Sequence, residues 1–546
     1  MRPQPHVRSE GRPGEPRPEG SGLVCLSLTF TERPRTPVRG SPERGAILIA
    51  SMWVIVVLVG LALVLGQTMR VESISTTNEL SSLQAQGVEQ GAIQYVLYNL
   101  ASLQGQMPLA ANMPCEAVQV GQGAFWILQS NDTTDDFTYC FGVTDECAKV
   151  HLNTADLNTL EMLPDMTSEL APCIIDWRTA GDTASPGGAK NDYYATLADP
   201  YTCKEAPFET VEELFLVKGA DTDVMYAEDT NRNGVLAACK DGNKDGKLDR
   251  GLFPFITIYS LSPNTDANGN ARVNVNGPPQ IITTRNGRNI VRTYLPNQAL
   301  SSLLQQKLSA SRYQAVIAAM TTLLTKNPAV QFRNIFDFYN RTQMTADDFK
   351  LVADSLTTNP ASPQTGMINV VTAPKEVLMC LPGLEDSDAS ALIAKRISLG
   401  ALSSSSTSAS GGAGLSNSRL SSAMSSSPLS SGLSSGLTGS SVSATADLYN
   451  PWWVVQAITP QKAAGIGGRI TTRTSRYSAD IVSVSGNGRS FRRCRIVVDA
   501  QKTPKIIYRQ DLTHLGWPLA PEILTALRSG KTVDQLPLTS VTGRGP

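Results

Sequence analysis

The sequence is short of most of what chemistry needs. Only three histidines occur in 546 residues, His6, His151 and His514, and two of them lie near the chain ends. That scarcity argues against histidine-dependent catalysis and histidine-rich metal sites. None of the nine cysteines forms a C-x-x-C pair, which removes zinc-ribbon and thioredoxin-like readings. There is no G-x-x-x-x-G-K-[ST] loop and no H-E-x-x-H helix. A net charge of −1 gives no global field for nucleic acid or anionic membrane, so such a partner would need a local patch. Gly432–Gly436 matches G-x-S-x-G, but it sits in a serine-rich stretch without a strand–turn–helix context and follows from composition. The chain reads as non-enzymatic.

Long apolar runs are equally rare, and the exception is informative. Residues 46–66 are uncharged and mostly apolar, and as a helix they would span about 32 Å, the thickness of a bilayer core. Arg39 and Arg44 precede the run and Glu72 is the first acid after it. The positive-inside bias then puts the N-terminus in the cytoplasm and the bulk of the chain outside it. The run is too long for a secretory signal and lacks a small-residue cleavage site at its far end. Helical character continues beyond it, with Leu80, Leu83, Ile93, Val96, Leu97 and Leu100 as an apolar stripe. One helix of roughly 55 residues is predicted, membrane-spanning at its start and amphipathic at its end. Before it, residues 1–45 carry eight arginines and five glutamates in a Pro- and Gly-rich stretch that reads as disordered.

An internal repeat follows. LNTADLNTLEMLPDM begins at Leu152 and NVVTAPKEVLMCLPGL at Asn369. A single offset of 218 aligns Thr154 with Thr372, Ala155 with Ala373, Leu160 with Leu378, Leu163 with Leu381, Pro164 with Pro382, Ile175 with Ile393 and Arg178 with Arg396. Each copy predicts a short helix with a Thr N-cap, closed by Leu-Pro, and a second helix carrying CIIDWR or ALIAKR. Segments 123–129 and 136–153 read as strands, as do 469–488, 490–500 and 505–510. Residues 401–446 hold twenty serines and one charge, Arg419, and read as a flexible linker.

Arg44-Gly45-Ala46 resembles a type IV prepilin signal, cut after Gly45 so that Ala46 begins the mature chain. Pilin-like proteins carry Glu at mature position five, where this chain has Ala50. With the repeat, IIDWR (174–178) and the segment 191–219, that departure resembles the minor pseudopilin K family of type II secretion systems. The resemblance covers roughly 43–400 and 447–510.

It implies an α+β chain with a type IV pilin-like fold: a long N-terminal helix plus an antiparallel sheet. An α-rich insertion holds two SAM-like, helix-hairpin-helix-like repeats. The expected layout is a cleaved leader 1–45, assembly helix 46–105, first sheet part 106–151 and first SAM-like region 152–280. The second SAM-like region 281–400, the linker 401–446, the second sheet part 447–515 and a loose tail 516–546 complete it. The implied place is a bacterial inner membrane, single-pass, with the bulk periplasmic. Implied partners are minor pseudopilins I, J and H, major pseudopilin G, a prepilin peptidase and secreted cargo. The implied role is at the tip of the pseudopilus, initiating or capping the filament that exports folded proteins. A membrane-tethered DNA-uptake or adhesion protein is the alternative. Against DNA, the second hairpin continues Glu385-Asp386-Ser387-Asp388, carboxylates where phosphate would sit.

The best chemical motif is EDTNRNGVLAACKDGNKDGKLDRG, 228–251. Asp229, Asn231 and Asn233 occupy positions 1, 3 and 5 of a calcium loop, and Gly234 the sharp turn. Asp241, Asn243 and Asp245 repeat the pattern with Gly246, and Asp249 adds an oxygen at position 9. The bidentate Glu at position 12 is missing; Lys240 and Leu252 stand there. The spacing predicts a composite or weak Ca²⁺ site, a reading the resemblance supports, and a solvated turn cluster is the plain alternative.

For Asp145 and Glu146 the simplest reading is a capped turn at a strand end. The arginines of 468–509 read as a solvated sheet face, with a filament contact as the functional alternative. If everything before Ala46 is removed, eight cysteines remain, a number that fits an oxidising compartment. Cys140–Cys147 and Cys173–Cys203 are candidate bridges, and buried free thiols the equal alternative.

Overall fold

The structure is a computed structural model that describes residues 44–109, 112–129, 136–236, 240, 242–286, 289–328, 330–405 and 447–536. It divides into two units, one ending at Ser73 and the other running from Ile74. Helix Arg44–Leu100 contributes to both. In the first unit its residues 47–66 expose apolar side chains throughout, and the helix is long and apolar enough to cross a membrane. The leader falls outside the described residues up to 43, as does the serine-rich stretch 406–446 with its G-x-S-x-G.

In the second unit the helix lies on a sheet whose strand order is 118–120, 123–129, 476–484, 491–499, 505–511. All pairings in that path are antiparallel, with Ile481 opposite both Ile127 and Cys494. Short strands 140–141 and 144–145 pair with 123–129 and 476–484 respectively. Alternation along the strands sends Phe125, Ile127, Ile481 and Ile496 to one face, where Val88, Ala92, Ile93, Val96 and Leu100 of the helix cover them. Gly123 permits the close approach, since a Cβ there would sit 2.7 Å from Val88 Cγ2 and 2.4 Å from the Val484 carbonyl oxygen. The packed stripe is therefore Ala85, Val88, Ala92, Ile93, Val96 and Leu100. Leu80 and Leu83, expected in it, point away and are exposed, because Ser81, Ala85 and Val88 set the phase of the contact.

The opposite face carries Ala124, Trp126, Leu128, Val482 and Val484, and the chain end covers it. The tail expected to be loose forms helix Pro521–Arg528, which buries Ile523 and Leu527 against that face. Pro521 stands in the first turn, where a missing N–H costs nothing. Trp517 meets Trp126 edge to face at 5.9 Å. Residues 537–546 lie outside the description.

Between the two halves of the sheet, buried residues from Val150 to Ile470 form one shared core. The repeat organises its ends. Strand Val150–His151 pairs in parallel with Ile256–Thr257, and strand Ile368–Asn369 with Ile470–Thr471. Helices Leu157–Glu161 and Lys375–Met379 coincide under the 218-residue offset. Leu160, Leu378 and Leu381 are fully buried and Leu163 nearly so.

The expected Thr caps are not the caps. Asp156 accepts from the Thr159 amide in the first copy, and Pro374 stands at the second without a side-chain bond. Thr154 is exposed, and the Thr372 hydroxyl turns to Asp145 instead, at 2.6 Å. Between the copies, among the described residues, strands Gln280–Asn286 and Asn289–Leu295 pair antiparallel, and the longer helices are Gln298–Lys307, Ala310–Lys326, Ile335–Thr342 and Ala346–Val352. The expected sheet portion 447–515 is divided: Trp452, Trp453, Ile458 and Ile466 join the insertion's core, and sheet pairing begins at Arg476.

Candidate metal loops and the seam to the sheet

The predicted ligands fall into two adjacent loops tied at their bases. The Glu228 amide donates to the Asp249 carbonyl at 3.0 Å, while Glu228 Oε1 accepts from the Gly242 amide at 2.7 Å. In the first loop the turn forms as the pattern predicts. Gly234 adopts φ 72°, and Asp229 accepts from the amides of Asn233 at 3.1 Å and Gly234 at 2.9 Å. Leu236, at position 8, is buried.

At the centre of this loop sits the ammonium of Lys240. Its Nζ lies 2.7 Å from Asp229 Oδ1, 2.6 Å from Asn231 Oδ1, 2.7 Å from Asn233 Oδ1 and 3.0 Å from the Val235 carbonyl. These are the oxygens of loop positions 1, 3, 5 and 7, the last through its backbone as in a calcium loop. With Lys240 there, the first loop does not fit a divalent cation. Asp229 is its single carboxylate, and the lysine already balances it.

The second loop is more open. Asn243, Asp245 and Asp249 are exposed, and Asn243 Nδ2 donates to Asp249 Oδ2 at 3.2 Å. Asp245 Oδ1 accepts from the Lys247 amide at 2.8 Å. Partial burial, then Glu228 and Asp245, push the Asp249 carboxyl above its ordinary range. Asp241 lies outside the described residues. Among the described residues no group of three or more His, Cys, Asp or Glu side chains converges as a metal site. Gly45 and Ala46 fall in the first turn of the long helix.

The first loop is also pinned to the sheet. Fully buried Arg493 forks onto Asp480 at 2.9 and 2.5 Å, then donates onward to the carbonyls of Asn231 at 2.6 Å and Arg232 at 2.8 Å. Asn233 Nδ2 reaches the Pro518 carbonyl at 2.7 Å, so the C-terminal segment touches the same loop. Arg232 stacks against Tyr226 at 4.2 Å and Phe253 at 4.8 Å. The sequence reading of this basic strand as a solvated face is corrected for Arg493, which faces the insertion rather than water.

A second seam forms around Glu146, which is fully buried. It receives Lys149 at 3.1 Å, Ser478 at 2.5 Å and the Thr257 hydroxyl, with Arg495 at 3.5 Å. Burial alone would raise its pKa; Lys149, Arg495 and the hydroxyls outweigh burial and hold it at about 2. Asp145 caps the short turn, accepting from the Cys147 amide at 2.7 Å, as its place at a strand end suggested. Sequence reasoning saw neither seam, because each is closed by partners far apart in the chain: Ser478 and Thr257 on Glu146, and the carbonyls of Asn231 and Arg232 on Arg493. Cys173 and Cys203 are free buried thiols, as are Cys115, Cys147, Cys380 and Cys494.

Residues 152–227, the first repeat and the segment leading towards the loops, match the family model "Type II secretion system (T2SS), protein K". This segment is similar to type II secretion protein K. A solved structure, the GspK-GspI-GspJ complex from the type 2 secretion system of enterotoxigenic Escherichia coli, is similar over 81% of this chain and 99% of that one. Its identity is 9% and its TM-score 0.34, so the resemblance to protein K rests on residues 152–227. No curated protein matches the chain in sequence.

Proposed function

We propose that this protein is a minor pseudopilin at the tip of the type II secretion pseudopilus, where it helps to initiate or cap the filament. The observation that carries this reading is a protein K segment, 152–227, set between the two halves of a sheet that packs on an N-terminal helix. The apolar first part of that helix would anchor the chain once in the bacterial inner membrane, with the second unit in the periplasm. A prepilin peptidase would cut between Gly45 and Ala46. With Ala50 where other pilins carry Glu, the helix has no carboxylate for a subunit above it, which suits a terminal position. The expected partners are minor pseudopilins I and J, with H and major pseudopilin G below and secreted cargo above. The two SAM-like repeats would pack rather than bind DNA: Asp388 pairs with Lys462 at 2.5 Å, and Asp386 with Lys375 at 2.6 Å.

Calcium is proposed for the second loop alone. Asn243, Asp245, Asp249 and Asp241 would supply its oxygens, and the ion would relieve the crowding of Asp249 by Glu228 and Asp245.

Co-expression with the minor pseudopilins of the same secretion system tests the role. A complex that copurifies, with an N-terminus sequenced as Ala46, supports it. A mature chain that starts elsewhere, or that stays alone, refutes it. For calcium, the expected result is a rise in Tm that disappears in Asp245→Ala plus Asp249→Ala.

A further inference from the structure

We propose that Lys240 is the resident cation of the first loop: its ammonium takes the place of a divalent ion, so that the turn from Asp229 to Leu236 is held at any calcium level.

Three observations converge on this. The first is position. Counting from Asp229, Lys240 is the twelfth residue, where a calcium loop places the bidentate Glu that completes the ion's shell. Replacing that acid by lysine removes two oxygens and adds a positive charge at the end of a tether already aimed at the centre.

The second is geometry. Nζ lies 2.6–3.0 Å from four oxygens, those of positions 1, 3, 5 and 7. An ammonium has three protons, so one contact is shared, but every inward oxygen of the loop faces the same charge. The Lys240 side chain is 7% exposed and that of Asp229 9%, so the pair is nearly closed off from water.

The third is charge. Asp229 contributes the loop's one negative side chain, because positions 3 and 5 are asparagines. A monovalent ammonium neutralises it. A divalent ion would leave excess positive charge beside the buried guanidinium of Arg493, which holds the carbonyls of Asn231 and Arg232.

This device has a purpose within the fold. The first loop is the piece of the insertion that Arg493 and the Pro518 carbonyl grip. A covalently supplied cation keeps that grip from depending on an ion that must be bound from solution. The assignment rests on the loop alone and is independent of the secretion reading.

The test is amine reactivity in the intact, detergent-solubilised chain, with acetic anhydride labelling read by mass spectrometry. Lys244 and Lys247, both exposed in the neighbouring loop, serve as internal references. Lys240 is expected to label at least tenfold more slowly than either, with no change on adding millimolar calcium. Labelling at the reference rate, or a calcium-induced rise as the lysine is displaced, overturns the proposal. A gain-of-function variant gives a second reading. In a chain carrying Asp245→Ala and Asp249→Ala to silence the second loop, calorimetric titration with calcium should show no binding. Adding Lys240→Glu should create one calcium site per chain. Calcium binding that is present before the Lys240→Glu change and lost with Asp229→Ala would sink the assignment.

Discussion

Arg178 and Arg396 make the same contact 218 residues apart. Arg178 donates to the carbonyls of Leu152 and Ala155, and Arg396 to those of Val370 and Ala373, which are the same two positions under the repeat offset. Each guanidinium fastens a second helix to the turn that opens its unit, Arg178 from the helix end and Arg396 from mid-helix. The duplication therefore preserves a tertiary contact as well as a pattern of leucines.

Truncating either arginine should release its unit. Arg178→Ala is expected to lower stability by about 2 kcal/mol, the cost of leaving buried carbonyls without a donor, and Arg396→Ala by a comparable amount. Lysine, with one nitrogen, should recover less than half in either place. Urea unfolding of the single and double variants would measure both effects and their coupling.

The repeat also predicts a stabilising change. Asp165 adopts φ 56°, and the equivalent position in the second copy is Gly383 at φ 77°. A residue with a Cβ is strained in that region. Asp165→Gly should raise stability by about 0.5–1 kcal/mol, and Gly383→Ala should lower it by a similar amount. A Tm that moves the other way for either would contradict the reading.

Acid should weaken the fold in two steps. Burial depresses His151 from 6.5 to about 4, so between those values the unfolded chain takes up a proton that the folded chain refuses. Stability then falls as pH drops through that window. Glu146, held at about 2 against an ordinary 4.5, gives the second step: its contribution is complete above 4.5 and lost as pH falls towards 2. The second copy has Asn369 where the first has His151, and both accept from the amide two residues on, at 3.0 and 3.2 Å. His151→Asn should therefore fold and abolish the upper step, while Glu146→Gln should remove the lower one and cost about 3 kcal/mol at neutral pH. Denaturant midpoints from pH 7 to pH 2 would separate the two.

The C-terminal helix should be indispensable to the sheet. Ile523→Ala opens a void against Trp126 and Val482 and is expected to cost about 3 kcal/mol. Truncation after Gly516 should expose the indole of Trp126, seen as a red-shifted fluorescence maximum. A truncated chain that keeps its full stability would show that the cover is dispensable.

Much of this is legible in the sequence alone. Strand 123–129 announced itself through aromatic and β-branched residues, and the repeat through one constant offset. The loops were legible as loops, with Gly234 and Gly246 where their turns need left-handed backbone. What was illegible shares a cause: each feature depends on what covers a surface, and that partner is remote. Arg493 looked solvent-facing because a two-sided sheet was not anticipated. The tail looked loose because its prolines hid the spacing of Leu519, Ile523 and Leu527. Lys240 was visible as a missing ligand, yet only the folded loop shows a side chain returning to fill the gap.

The pairing of Ile127 with Ile481 has one more consequence. A ribosome finishes the second of these strands long after the first, so early β-segments spend most of synthesis without neighbours. Closing so large a loop is slow, whereas the intervening helices can collapse on their own short-range contacts. The insertion is thus positioned to fold first and bring the distant strands together. A nascent chain stalled before Arg476 would carry an unpaired, apolar edge, the kind of surface that invites aggregation or chaperone capture.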